Sequence, residues 1–384
     1  MAGVTASHGE LLHLVRAREG LSRQQLMAET GMSRGTLYGR LDVLVRLGLV
    51  YEAEALGATG GRRARRIRFE DRGRVVLAVD LGQTHARVAV TDLLGTEYRR
   101  ADLPVRIADG GAAVLGPVLD HAEKLLAAGR GERLVGVGVG APASVDPPTG
   151  RLIAAEAMPG WQSDEIAPAV RARFDAPLVV ENDARAGAVG ESRSDEETVV
   201  YVKIATGIGC GIVVGGEPLR GAAGLAGGIG HVRVGVDKGA PVCRCGRTGC
   251  LAAYSSGRAL LERLGGRPEE PGAIAELVAA AETPPVAVAL ADAADALGAA
   301  LAPTVGMLNP HRLVLGGPLG AAPGVVDRVR SRLRAAVPDA MLPVVERSAL
   351  GNRATPRGLA RLVVRRAFAP AAVDAVVDGA LAAE

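Results

Sequence analysis

Two segments of the chain share one pattern, and that repetition limits the architectures open to it. Val75-Val76-Leu77-Ala78-Val79-Asp80-Leu81-Gly82-Gln83-Thr84 is a largely apolar run that ends in a turn, and Ala86 to Thr91 returns from it. Val199-Val200-Tyr201-Val202-Lys203-Ile204 enters Ala205-Thr206-Gly207-Ile208-Gly209-Cys210-Gly211, and Ile212-Val213-Val214 returns. Short apolar runs rich in β-branched residues predict buried strands. Two strand–turn–strand units opening two halves predict a duplicated α/β domain with a cleft between its lobes. In the first turn Asp80 supplies a metal-directed carboxylate, Gly82 a close backbone approach and Thr84 a hydroxyl for phosphate. In the second, the amides around Thr206, Gly207 and Gly209 are of the type that cradles phosphate. Leu308 to Gly317 reads as helix end, strand and a glycine pair, Gly316-Gly317, placed to abut an adenine; an ordinary connection would look the same. Leu178 to Asp183 is a strand that delivers Asn182 and Asp183 to its carboxyl end, where open α/β sheets put their chemistry. In an enzyme Asp183 would take the proton from an attacking sugar hydroxyl. The plain alternative is a helix cap for Ala184 onward.

At 384 residues the chain is long enough for ~2.5 domains of about 150 residues. Hydrophobic residues at 48% and charged ones at 23% belong to a globular and not a disordered chain. No apolar run is expected to reach the ~18 residues of a membrane helix, and Met1 to Glu10 lacks the pattern of a secretory signal. Nine aromatic residues leave little for the base-stacking platforms of RNA readers. The net charge of +3 is unevenly spread: residues 1–74 hold 13 Arg against eight Asp or Glu, and the remainder holds 32 basic against 34 acidic residues. A basic N-terminal module on a slightly acidic body points to a polyanion-binding arm.

The order of elements in that module says which arm. Leu11, Leu12, Leu14 and Val15 form one helical stripe. Ser22 with Gln25 three residues on reads as a capping box for a second helix, through Leu26 to Thr30. Gly31-Met32-Ser33 breaks it, and Ser33 opens a third helix with Leu37, Leu41 and Leu44 inward. Helix, short turn with Gly and helix is the helix-turn-helix pattern. Ser33, Arg34, Thr36, Tyr38 and Arg40 face away from the stripe, towards a major groove. Leu49-Val50-Tyr51 and Ile67-Arg68-Phe69 read as two strands of a wing, whose tip, Ala58 to Arg66, carries Arg62, Arg63, Arg65 and Arg66 for phosphates or a minor groove. A winged helix-turn-helix over residues 1–72, followed by an α/β body over 73–384, is the expected organisation. Double-stranded operator DNA is its expected partner.

The sharpest local pattern lies in the second half. Gly230-His231 followed by Cys243-Arg244-Cys245-Gly246-Arg247-Thr248-Gly249-Cys250 offers three thiolates and one imidazole, the donor set of a tetrahedral Cys₃His zinc site. His231, Cys243, Cys245 and Cys250 leave no protein ligand position open, so a structural Zn²⁺ is expected, with a redox thiol cluster or a chance grouping as the alternatives. Cys210 stands apart and reads as a small packed residue.

Taken together, these elements in this order resemble the ROK family of repressors, open reading frames and kinases. The resemblance covers essentially the whole chain and is most specific from Thr206 to Cys250. It implies a two-lobed, actin-like ATPase (ribonuclease H-like) body: lobe 1 at about 73–185 with a C-terminal return, lobe 2 at about 186–365, and a zinc knuckle at 231–250. It also implies a homodimer or homotetramer that responds to sugars or phosphorylates them, in the cytoplasm and without a membrane. The N-terminal winged helix is what family repressors have and family kinases lack, and Thr59-Gly60-Gly61-Arg62 is similar to the linker at their wing, with Arg63 where Pro is common. Asp183, Asn182 and His231 match the family's pocket. Other positions depart from it: Gln83 at a glycine of the kinase motif, Ala157 at an Asn, Ala223 at an Asp, Gly228 at a Glu before the metal His, and Ala252 at a Glu after the last Cys. Loss of carboxylates that grip sugar hydroxyls weakens hexose recognition. The expected protein is therefore a transcriptional regulator, most simply a repressor, with Asp183 as a vestigial base and a sugar or another metabolite as candidate effector. An ATP-dependent sugar kinase carrying a DNA-binding arm is the alternative.

Overall fold

Side-chain caps start each of the first three helices. The computed structural model describes residues 6–18, 20–54, 65–146, 148–153, 157–235 and 239–382. Helix α1 (His8–Ala17) begins with a reciprocal cap between Ser7 and Glu10. After β1 (Leu21–Ser22), the Ser22–Gln25 box opens α2 (Arg23–Thr30), which ends on left-handed Gly31. The Ser33 hydroxyl accepts from the Thr36 amide at the start of α3 (Arg34–Arg46). Most of the expected apolar positions are buried, with Leu11, Leu12, Leu26, Leu37, Leu41 and Leu44 all at 0% exposure, whereas Leu14 of the first stripe is only half-buried. Strands β2 (Val50–Glu54) and β3 (Arg65–Phe69) pair antiparallel, Tyr51 opposite Arg68. The two-residue β1, too short to carry an alternation pattern, adds to the far side of β3, giving the order β1-β3-β2.

The duplication is visible in the two sheets of the body. The first takes β4 (Arg74–Leu81), β5 (His85–Thr91), β6 (Glu97–Pro104), β7 (Arg133–Ala141) and β10 (Leu178–Asn182) in the order β6-β5-β4-β7-β10, with α4 (Gly111–Ala127) against it. Between β7 and β10 lie the small pair β8 (Ser144–Val145) and β9 (Leu152–Ile153) and helix α5 (Ile166–Arg171). Helix α6 (Asp183–Glu191) leads into the second sheet. That sheet takes β11 (Val199–Ile204), β12 (Ile208–Val214), β13 (Glu217–Pro218), β14 (Arg312–Gly316) and β15 (Val344–Arg347) in the order β13-β12-β11-β14-β15. Each sheet is thus an antiparallel meander of three strands followed by two more strands, parallel to one another. Helices α7 (Ala252–Ser255), α8 (Gly257–Arg263), α9 (Ala273–Ala279), α10 (Pro284–Leu308), α11 (Gly317–Gly320) and α12 (Val325–Ala336) belong to the second half.

Every residue of α6 is buried, which explains its small-residue sequence Ala-Arg-Ala-Gly-Ala-Val-Gly. It crosses α13 (Ala354–Ala367) so closely that a Cβ on Gly358 would stand 1.7 Å from the Ala186 carbonyl oxygen, and one on Gly190 2.0 Å from that of Ala354.

Two expectations need correction. Helix α10 has an 18-residue window of mean hydropathy 1.5, so one stretch does reach membrane length by composition. It buries nine residues from Val286 to Val305, packs on α12, and pairs its Asp292 with Arg263 and its Asp295 with Arg328, as a core helix of a sheet-based lobe does. The second correction concerns the C-terminus. Compactness groups the described residues up to Arg74 with those from Val364 on, and residues 75–363 by themselves. The last helix, α14 (Pro370–Ala382), lies along α1, and the Gly9 amide donates to Asp374 Oδ1 at 2.8 Å. Phe368 meets Phe69 edge-on at 5.0 Å, and the Arg16 guanidinium lies within 5.1 Å of both ring centroids. The N-terminal module is small and short of core, and α14 supplies a further apolar face through buried Val373 and Val377.

Candidate ligand cleft, metal cluster and nucleic-acid face

A cavity of about 650 Å³ opens in the body where the β4–β5 turn, the start of α6, the β11–β12 turn and the loop after β13 converge. Gln83, Ala157, Asn182, Asp183, Thr206, Gly207, Gly209, Gly228, His231 and Ala252 all line it. The structure therefore brings together matched and departed positions from six stretches of sequence. Both readings of the Asn-Asp pair hold at once. Asn182 caps α6 by accepting from the Arg185 amide at 3.0 Å, and Asp183 lines the cavity. Asp183 Oδ1 accepts from the Ala184 amide at 2.8 Å. Its Oδ2 accepts from Lys203 Nζ at 2.8 Å. Burial pushes the Asp183 carboxyl up from the ordinary carboxylate range, and Lys203 pulls it back.

Asp80 lies below the cavity surface at 4% exposure, with Oδ1 3.7 Å from the same ammonium. Gly82 lines the cavity, whereas Thr84 is half-buried outside it. Gly316 and Gly317, the pair expected to abut an adenine, are not among the residues that line the cavity. A Cβ on Gly316 would meet the Tyr201 hydroxyl at 2.2 Å, and one on Gly317 the Ile204 carbonyl oxygen at 2.4 Å, so internal packing accounts for the pair. Cys210 is buried, and burial pushes its thiol up to about 12.

Sequence reasoning missed four charged residues here. Arg185, at 2% side-chain exposure, donates from Nε to Glu181 Oε1 at 2.8 Å and from Nη1 to the Gly224 carbonyl at 2.7 Å. Arg220 donates to Glu181 Oε2 at 3.1 Å. These bonds hold the loop whose Leu225 to Gly228 roof the cavity. Lys203 is the fourth. Its one available signal was a charge inside an otherwise uncharged strand, in a chain with three lysines.

One wall of the cavity is the cysteine knuckle. The donor atoms of His231, Cys243, Cys245 and Cys250 all lie within 4.8 Å of one another. Cys245 and Cys250 sulfurs are 3.7 Å apart, and Cys243 Sγ is 3.8 Å from His231 Nδ1. A tetrahedron with metal–sulfur bonds of about 2.3 Å has edges of about 3.8 Å, so the spacing fits one metal ion. Gly246 and Gly249 turn the loop with φ of +83° and +79°. The backbone N–H of Arg247 pulls the Cys245 thiol down, whereas burial, then Cys245, push the Cys250 thiol up to about 12. A buried thiol beside two others becomes a thiolate only with a cation among them.

The nucleic-acid face is built on α3. Ser33, Arg34 and Thr36 are exposed, and Tyr38 and Arg40 half-buried. The guanidiniums of Arg23 and Arg34 lie 4.2 and 5.3 Å from the Tyr38 ring centroid, which makes a cationic cluster around an aromatic ring at the start of the helix. Arg65 is exposed and pairs with Glu52 at 3.2 Å. Arg66 turns into the fold and donates to the Gly20 carbonyl at 3.0 Å. Arg62 and Arg63, with the linker from Thr59, lie outside the described residues.

Comparison with known proteins separates the two units. The sequence model of the ROK family matches residues 76–366. The xylose repressor of Bacillus subtilis is 26% identical, over 92% of this chain and 94% of its own. A glucokinase of Halalkalibacterium halodurans is 30% identical but spans 64% of this chain and 81% of its own. Among solved structures, a ROK family transcriptional regulator described as a homolog of the E. coli MLC protein superposes with a TM-score of 0.78 at 23% identity, over 96% of this chain and 98% of that one.

Proposed function

The chain belongs to the ROK family, and we propose that within it the protein is a DNA-binding transcriptional regulator that acts as a repressor. The observation that carries this reading is coverage: the xylose repressor matches 92% of the chain, and the glucokinase 64%. A match of the first extent takes in most of the winged helix, which sugar phosphorylation does not need. In this reading α3 enters the major groove, with Arg34 and Tyr38 at base edges, Ser33, Thr36 and Arg40 beside them, and Arg62, Arg63 and Arg65 on the backbone or minor groove. Arg66 contributes mainly to the fold. The protein works in the cytoplasm as a homodimer or homotetramer on a two-fold operator.

The metal is Zn²⁺, because three thiolates and an imidazole suit it and leave no open position for catalysis. Its role is to hold one wall of the cavity, where His231 is shared. The cavity takes a small effector of sugar size, and Asp183 serves binding and not catalysis. The glucokinase relative and the retained Asp183 favour a second reading, a sugar kinase with a DNA-binding arm. Genome-wide mapping of bound DNA, followed by gel-shift titration of a recovered fragment, tests the first. Salt-sensitive, sequence-specific binding supports it. No enriched fragment, together with turnover of a hexose in a coupled assay, would replace it with the second.

A further inference from the structure

A nucleotide-dependent kinase needs a divalent cation at the carboxylate of its first turn and a free carboxylate as base. The corresponding residues here are Asp80 and Asp183, and the structure puts a third group between them. Lys203 Nζ is 2.8 Å from Asp183 Oδ2 and 3.7 Å from Asp80 Oδ1. Both carboxylates come from the first sheet, Asp80 near the end of β4 and Asp183 directly after β10, and the ammonium reaches both from β11 of the second sheet. Its register makes room: Lys203 stands opposite Gly209 on β12 and Gly316 on β14, so neither cross-strand neighbour presents a side chain.

We propose that Lys203 is a built-in cation that occupies the place of a divalent metal between Asp80 and Asp183, and so closes the cleft to a metal–nucleotide. A metal ion entering there meets an ammonium that is covalently held and cannot leave. Asp80 Oδ1 is buried and without a hydrogen bond among the described residues, so its charge is balanced by this ammonium across 3.7 Å. Burial opposes the charge on Lys203, but Asp183 and Asp80 outweigh it and hold the ammonium above the usual lysine range. The inference rests on the regulator reading and gives it a cause: the cleft is closed to the metal before any sugar is considered.

Mn²⁺ is the probe, titrated into the full, zinc-loaded chain and followed by the paramagnetic resonance signal of the free ion. In the wild type, Asp80→Asn and Asp183→Asn are expected to leave Mn²⁺ uptake unchanged. Lys203→Met, or the smaller Lys203→Thr, is expected to gain one site that binds Mn²⁺ tighter by roughly tenfold or more, and adding Asp80→Asn is expected to remove it. Wild-type uptake that Asp80→Asn abolishes would overturn the proposal whether or not the lysine variants fold. So would a folded Lys203 variant with no gain. Operator binding, read separately by gel shift, distinguishes this failure from that of the regulator reading.

Discussion

Ser33 and Arg34 are adjacent and exposed, yet the structure gives them different work. Ser33 satisfies the Thr36 amide at the head of α3, while Arg34 projects beside Tyr38 with its guanidinium 5.3 Å from the ring. Arg34→Ala is therefore expected to cost about 1–3 kcal/mol of operator affinity and little stability, and to relax specificity at one base pair. Ser33→Ala is expected to cost about 1 kcal/mol of stability in the N-terminal unit instead. Gel-shift titration beside thermal melting tells the two apart. At the knuckle, Cys245→Ser removes a ligand from a set whose Sγ–Sγ spacing of 3.7 Å already suits a metal. It should release the zinc and destabilise the body, and in the unaltered chain the metal should be lost as pH falls, because thiolates and imidazole must be unprotonated to bind. Metal content after dialysis across a pH series reads both. These ligands were legible in the sequence because three of them fall within eight positions. Lys203, Asp80 and Asp183 were not legible as a group, since they come from three elements and nothing in local spacing joins positions 80, 183 and 203.

The helical elements differ in what their sequences disclose. The caps of α2 and α3 and their leucine stripe could be read directly, because a cap and a 3.6-residue period act within one turn or two. The crossing of α6 and α13 could not, because Gly190 and Gly358 lie far apart in the sequence and are neighbours only in the folded chain. Their closeness makes a sharp prediction. A methyl on Gly358 would sit 1.7 Å from the Ala186 carbonyl, against backbone that cannot swing away. Gly358→Ala should therefore destabilise the body by about 1–3 kcal/mol or more, measured as a lower midpoint in urea. Helix α14 was equally hidden: its alanine-rich sequence gives no hint of its partner, and the contacts with α1 span nearly the whole chain, as the Gly9–Asp374 bond does. A chain ended before Pro370 loses those contacts and Val373 and Val377 from the small core. Its N-terminal unit should melt earlier and bind the operator less well, while the zinc content of the body stays the same.

Duplication is the property of the whole molecule that the sequence disclosed best. Two runs of the same kind, at Val75 and Val199, became two sheets of the same strand order. Which chemistry the cleft between them retains is a separate question, since one family holds repressors and kinases on one body. Three requirements must be met together for phosphoryl transfer: a gripped acceptor hydroxyl, a base beside it and an oriented metal–triphosphate. The grip is missing where Gly228 and Ala252 line the cavity. The base is present but Asp183 is tied to Lys203 at 2.8 Å. Loss of orientation alone is worth several kcal/mol, up to about 7 or more, so the chain is expected to give no detectable phosphorylation of glucose, N-acetylglucosamine, N-acetylmannosamine or fructose. Restoring the grip is sterically open at residue 228, where an added Cβ would meet only the Leu225 carbonyl, at 3.4 Å. Gly228→Glu with Ala252→Glu should therefore gain sugar binding, read by calorimetry, and still show no turnover, because Lys203 remains. Turnover should require Lys203→Thr in addition. Detectable phosphorylation by the unaltered chain would mean that neither the empty grip nor the ammonium closes the cleft, and the kinase reading would stand in place of the regulator alone.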